Sequence, residues 1–96
     1  MGVEDLLKGK REEIVRIAAL YGARNVRVLG SVARGEAGPD SDLDLLVEMA
    51  PGRTLLDLIA IEQDLEDLLG RKVEVLTEAA VSPYMREAVL REAVRL

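Results

Sequence analysis

Val26-Arg27-Val28-Leu29-Gly30-Ser31 and, further on, Asp42-Leu43-Asp44-Leu45-Leu46-Val47-Glu48 are the two stretches on which the fold turns. The first is short, rich in β-branched residues and runs straight into Gly-Ser, which predicts a strand ending at a tight turn that opens a short helix. In the second, Leu43, Leu45 and Val47 point one way and Asp42, Asp44 and Leu46 the other, the alternation of a half-buried strand. Between them, residues 35–41 (GEAGPDS) cluster turn formers. Upstream, Val3, Leu6, Leu7, Ile14, Ile17, Ala18 and Tyr21 recur at three- and four-residue steps and predict a helix stopped by Gly22.

Downstream, Pro51-Gly52 breaks the strand. Thr54-x-x-Asp57 then has the form of a capping box ahead of Leu55, Leu58, Ile59, Leu65, Leu68 and Leu69. This predicts a long helix closed by Gly70, with its leucine stripe in the core and its charges in solvent. Arg71 to Leu76 reads as a third strand, with Val73 and Val75 on one face and Lys72 and Glu74 on the other. Ser82-Pro83 supplies an N-cap and a first-turn proline for a final helix through about Glu92. The order α, β, short α, β, α, β, α predicts a single α+β domain over 1–96: a small mixed sheet with helices mainly on one face and an acidic face left open.

Composition narrows the chemistry. The 96 residues include neither cysteine nor histidine, which removes disulfides, thiolate and imidazole metal sites, and Ser-His-Asp triads. Carboxylates remain as metal ligands or bases. A net charge of −5, from 18 acidic and 13 basic residues, argues against binding to a nucleic-acid backbone. Tyr21 and Tyr84 are the only aromatics, too few for a base-stacking platform; Tyr84 is expected in the core or at an interface. No segment approaches the roughly 20 apolar residues of a membrane span. The N-terminus lacks a signal-like apolar stretch, so a cytoplasmic location is expected. A chain this small has a thin stability margin, which favours burial of a partner surface.

Asp42 and Asp44, two apart on a strand, have Cα atoms roughly 6.6 Å apart on one face. Two carboxylates about 4 Å apart repel by about 4 kcal/mol at an effective dielectric near 20. A divalent cation would offset that repulsion. With only hard oxygen donors available, magnesium or manganese suits the pair better than zinc. Gly30, lacking a Cβ, would let backbone N–H groups approach a phosphate, and the Ser31 hydroxyl adds a donor. A phosphate cradle facing a metal pincer is equipment for in-line displacement at phosphorus. Two rival motifs fail on their own residues. Gly30-x4-Gly35 starts like a P-loop but continues Glu36-Ala37 where Lys-Ser/Thr is required. Asp40, Asp42 and Asp44 mimic an EF-hand, but Leu45 and Pro51 stand where Gly and Glu are needed.

The run Gly30-Ser31-Val32-Ala33-Arg34-Gly35, followed by Ser41-Asp42-Leu43-Asp44-Leu45, resembles the GS-x-x-x-G…SD-x-D signature of the polymerase-β-like nucleotidyltransferases. More narrowly it resembles the minimal nucleotidyltransferases that serve as antitoxins beside HEPN-domain toxins, over nearly the whole chain. The resemblance implies a polymerase-β-type palm fold, ATP as substrate with two Mg2+ ions, and AMP transfer to a tyrosine of a HEPN partner. It assigns Gly30 and Ser31, with Ser41, to the nucleotide, and Asp42 and Asp44 to the metals. It also assigns Glu74, at the position of the third carboxylate, where aspartate is more usual, to the metals and to catalysis with Asp42 and Asp44. Arg34 either contacts a phosphate or caps the short helix. Two other functions fit the same residues: transfer to a small molecule or an RNA end, and silencing of a toxin by binding alone.

Overall fold

The computed structural model describes residues 7, 9–36, 38 and 41–96. The expected helical positions Val3 and Leu6, and Ala37, Pro39 and Asp40 of the predicted turn, lie outside the described residues. The elements are α1 (Arg11–Leu20), β1 (Ala23–Leu29), α2 (Gly30–Ala33), β2 (Leu43–Met49), α3 (Leu55–Leu69), β3 (Val73–Thr77), a 3₁₀ turn (Glu78–Ala80), α4 (Pro83–Glu92) and β4 (Val94–Arg95). The sheet order is β3-β2-β1-β4. β1 runs antiparallel to both β2 and β4, while β2 and β3 are parallel, as a connection through a long helix requires. This is the mixed α+β sheet expected.

Ile14 and Ala18 of α1 and Ile61 and Leu65 of α3 pack on Val26, Val28, Leu43, Leu45, Val47, Val73 and Val75 of the sheet in one apolar core. Tyr21 Oη donates to Asp64 Oδ2 at 2.7 Å and Lys10 Nζ to the Leu68 carbonyl at 3.0 Å, tying the two helices together. The capping box is present: Thr54 Oγ1 accepts the Leu56 N–H and the Asp57 carboxylate accepts the Thr54 N–H. Gly70 ends α3 in the left-handed conformation, φ 66°.

Several expectations need correction. β1 starts three residues before Val26, because Asn25, at φ 51°, forms an irregularity that shifts register between Arg24 and Arg27 and hides the alternation. β4 was not expected at all; two residues suffice because Leu96 N–H also bonds the Val26 carbonyl, at 3.0 Å. Leu55 and Leu56 are exposed, since the first turn of α3 overhangs the core. The charges of α3 are not all solvated: Glu62 and Glu66 accept the N–H groups of Val75 and Val73 at 2.8 and 3.1 Å. They cover outward-facing donors of β3, which lies at the sheet edge. Ser82 makes no side-chain cap bond, although Pro83 does open α4. Tyr84 is 98% exposed and so is not core.

The second face is also less open than expected. Leu46 is fully buried there, between its register neighbours Arg27 and Leu76. Arg27 itself is buried, with Nη1 on Glu78 Oε1 of the 3₁₀ turn at 2.7 Å and Nε on the Asn25 carbonyl. The end of this face that carries Asp44 and Glu74 opens to solvent, and α4 borders it.

Candidate active site

The site begins where β1 stops. Leu29 is extended (φ −117°, ψ 174°), and Gly30 then turns the chain at φ 69°. A Cβ on residue 30 would lie 2.9 Å from Asp44 Oδ2, so both backbone conformation and space call for glycine. The turn is closed by Arg34 N–H on the Gly30 carbonyl (3.1 Å) and Glu36 N–H on the Ser31 carbonyl (2.8 Å). Val32, fully buried, anchors it to the core. Ser31 is thereby held partly exposed beside Gly30.

Across the sheet the register places Leu29, Asp44 and Glu74 in one row. Asp44 is half-buried and Glu74 exposed; Asp42 is exposed and lies just before β2. Burial, and then the neighbouring charges of Glu74 and Asp42, push the Asp44 carboxyl above its ordinary pKa. Among the described residues no lysine or arginine pairs with Asp42, Asp44 or Glu74. Nor do any three metal-type ligands among them converge into a ready-made cage. An uncompensated carboxylate group beside a phosphate-sized turn is what a hard divalent cation relieves, and magnesium commonly takes one or two carboxylates with substrate phosphates as its other ligands. The residues therefore fit such an ion without a third protein ligand already in place.

Arg34 follows α2, its guanidinium pairing with Glu36 (3.1 Å) and Glu92 of α4 (3.4 Å). Its side chain does not cap the short helix; it stands at the rim of a cavity of about 280 Å³ above the carboxylate row. Gly30, Asp44 and Glu74 line the same cavity, and Glu92 closes one side. Ser41 is elsewhere occupied: its Oγ accepts the Gly38 N–H at 2.9 Å, and its carbonyl accepts Arg71 Nη1 at 2.9 Å. The structure thus brings Gly30, Arg34, Asp44 and Glu74 around one cavity, and sets Ser31, Ser41 and Asp42 outside its lining.

Sequence reasoning missed the apolar part of that cavity, Leu29 and Leu76 from the sheet and Met85 and Val89 from α4. The signal available was the four-residue spacing of Met85 and Val89, which puts both on one helix face.

A glycine turn, a carboxylate strand alongside it and a mixed sheet backed by helices on one side are the arrangement of a nucleotidyltransferase. The chain belongs to the nucleotidyltransferase domain family, whose model matches residues 10–96. It is similar to the protein adenylyltransferase MntA of Thermococcus cleftensis, 36% identical over 92 residues that cover 96% of this chain and 90% of the relative. A Methanocaldococcus jannaschii protein, provisionally named a protein adenylyltransferase, is 38% identical over 84 residues, 88% of this chain and 90% of the relative. Among solved structures, one provisionally described as a minimal nucleotidyltransferase superposes with a TM-score of 0.87 at 51% identity, covering all of this chain and 97% of the other. A toxin-antitoxin structure with AMP-PNP shares the fold, with a TM-score of 0.75 at 17% identity over 88% of this chain and 69% of that one. The resemblance read from Gly30-Ser31 and Asp42-Leu43-Asp44 is therefore correct at the level of family and fold.

Proposed function

We propose that this nucleotidyltransferase moves AMP from ATP to a tyrosine hydroxyl of a HEPN-domain toxin, acting in the cytoplasm as the antitoxin of the pair. The observation that carries the reading is the Gly30–Asp44 approach: a left-handed turn at which a Cβ would crowd the Asp44 carboxylate, itself paired with no lysine or arginine among the described residues. The names of the adenylyltransferase relatives support the protein acceptor.

In this reading the backbone N–H groups at Gly30 and Ser31 and the Ser31 hydroxyl receive the phosphates. Arg34 adds charge at the rim. Asp42 and Asp44 would hold two Mg2+ ions, which supply charge neutralisation at the triphosphate. The acceptor oxygen bonds to the α-phosphorus as the bond to the bridging oxygen breaks. Pyrophosphate leaves, and the hydroxyl proton passes to the Glu74 carboxylate, the register neighbour of Asp44. The partner's own surface presents the hydroxyl.

The test is to incubate the chain with labelled ATP, Mg2+ and the candidate HEPN partner. Label should move to the partner's tyrosine, and Asp42→Asn with Asp44→Asn should abolish transfer. Undiminished labelling by that double variant would overturn the mechanism, and toxin silencing without transfer would point to neutralisation by binding.

A further inference from the structure

The two tyrosines of the chain stand in opposite states. Tyr21 is half-buried and donates its hydroxyl proton to Asp64 Oδ2 at 2.7 Å, a bond that raises its pKa. Tyr84, in the first turn of α4, is 98% exposed, and its hydroxyl stands open to attack a phosphorus. We propose that Tyr84 is itself an acceptor: a second copy of the chain transfers AMP to its hydroxyl, so that the enzyme modifies itself between copies. The proposal rests on the adenylyltransferase reading above and adds a modification site to it.

Position is the first support. Met85, the next residue, lines the active-site cavity with Val89 and Glu92 from one face of α4. Tyr84 lies about 100° round the helix from Met85, turned out to solvent. The phenol therefore leaves its own carboxylates behind it and is presented to another molecule. Charge is the second. Arg86, two residues on, pairs with no carboxylate among the described residues; its Nη2 donates to the Glu78 carbonyl at 3.3 Å. Asp42, Asp44 and Glu74 likewise pair with no lysine or arginine among them. An incoming α4 thus brings an uncompensated guanidinium, beside the phenol, to uncompensated carboxylates. The product is the third. No acidic residue occupies the first turn of α4, where the helix dipole favours the negative charge of a phosphodiester. The step balances with ATP alone: Tyr84 Oη bonds to the α-phosphorus, the bond to the bridging oxygen breaks, pyrophosphate leaves, and the hydroxyl proton passes to Glu74 of the acting copy.

The test mixes two versions of the full chain. The acting copy carries Tyr84→Phe; the accepting copy carries Asp42→Asn and Asp44→Asn, with an affinity tag that separates the two on a gel. Both are incubated with Mg2+ and ATP labelled at the α-phosphorus, beside a parallel reaction in which the candidate HEPN partner replaces the accepting copy. Label should enter the accepting copy, and mass spectrometry of its peptides should place AMP on Tyr84. Adding Tyr84→Phe to the accepting copy, at a position outside the core, should cut the label at least tenfold. Arg86→Gln there should slow labelling about threefold, the worth of one exposed ion pair, and Arg86→Lys should restore it. Label on the accepting copy that is indifferent to Tyr84→Phe would overturn the site. Label on the HEPN partner with none on the accepting copy would overturn self-modification and leave the adenylyltransferase reading standing. Label on neither would overturn both.

Discussion

Gly30 and Asp44 approach so closely that a Cβ on residue 30 would stand 2.9 Å from Asp44 Oδ2. Glycine here serves two ends at once: it permits φ 69°, and it keeps the carboxylate of β2 against the turn that ends β1. Gly30→Ala should therefore cost about 1–3 kcal/mol from the left-handed backbone and the contact together. For a domain of this size that lowers Tm by about 5–20 °C. Calorimetric melting of the two chains is the check, and an unchanged Tm would mean that the turn relaxes freely. Mg-AMP-PNP affinity should fall as well, even at temperatures where the variant is fully folded.

Asp44 carries the second prediction. Its pKa is raised in the folded state by burial and by Glu74 and Asp42. The folded chain therefore binds its proton more tightly than the unfolded chain does. Stability from this group is complete below the unfolded value, about 3.9, and is lost as pH rises through the raised folded value. Asp44→Asn should accordingly melt a few degrees higher than the unaltered chain at neutral pH without added metal. The difference should shrink to nothing as pH is lowered toward 4. Denaturation curves across that range decide the matter, and a variant less stable at pH 7 would refute the assignment of strain to this carboxylate.

The legibility of this chain in its sequence follows from where periodicity survives. Val73 and Val75 alternate cleanly with Lys72 and Glu74, and Asp44 sits in an unbroken alternation with Leu43 and Leu45, so β3, β2 and the acidic row were readable. Arg27 broke the pattern. A buried arginine beside Val26 and Val28 looks like a solvent-facing residue, and nothing local announces that Glu78, distant in sequence, will cover it. Leu46 was placed on an open face for the same reason. The pairing of Val94–Arg95 with β1 is a long-range contact of two residues, too short to leave a periodic trace. Within the site, Gly30, Ser31, Asp42 and Asp44 announced themselves as types at a spacing. Leu29, Leu76, Met85 and Val89 carry no chemical signature, and only folding assembles them into a slot.

The buried arginine yields a third prediction. Arg27 Nη2 is buried with no hydrogen-bond partner among the described residues, and Nη1 depends on Glu78 at 2.7 Å. Removing the carboxylate leaves a guanidinium in a poorly solvated place, so Glu78→Ala should destabilise by about 2 kcal/mol. This is below the ~3–5 kcal/mol of a fully buried pair, because Glu78 is 41% exposed. Arg27→Met, which removes the charge but keeps the bulk beside Leu46, should cost less than Glu78→Ala. Urea denaturation of both single variants and the double variant measures the coupling, and the reverse order of stabilities would contradict this account.

Arg34 is held away from any incoming phosphate by two carboxylates, Glu36 at 3.1 Å and Glu92 at 3.4 Å. If Arg34 contributes to nucleotide binding, part of its attraction to phosphate is spent on leaving those partners. Glu92→Gln should then tighten Mg-AMP-PNP binding, by about threefold given the modest worth of half-exposed ion pairs. The gain should diminish in 0.5 M salt, where the Debye length shrinks to about 4 Å. Removing any negative charge near the cavity would also favour an anion, so the decisive measurement is a double-mutant cycle. In an Arg34→Gln background, Glu92→Gln should lose most of its effect, because no arginine remains to be released. A gain of the same size in both backgrounds would mean that Glu92 acts by its field alone, and that Arg34 is a rim residue pinning α4 to the turn after β1.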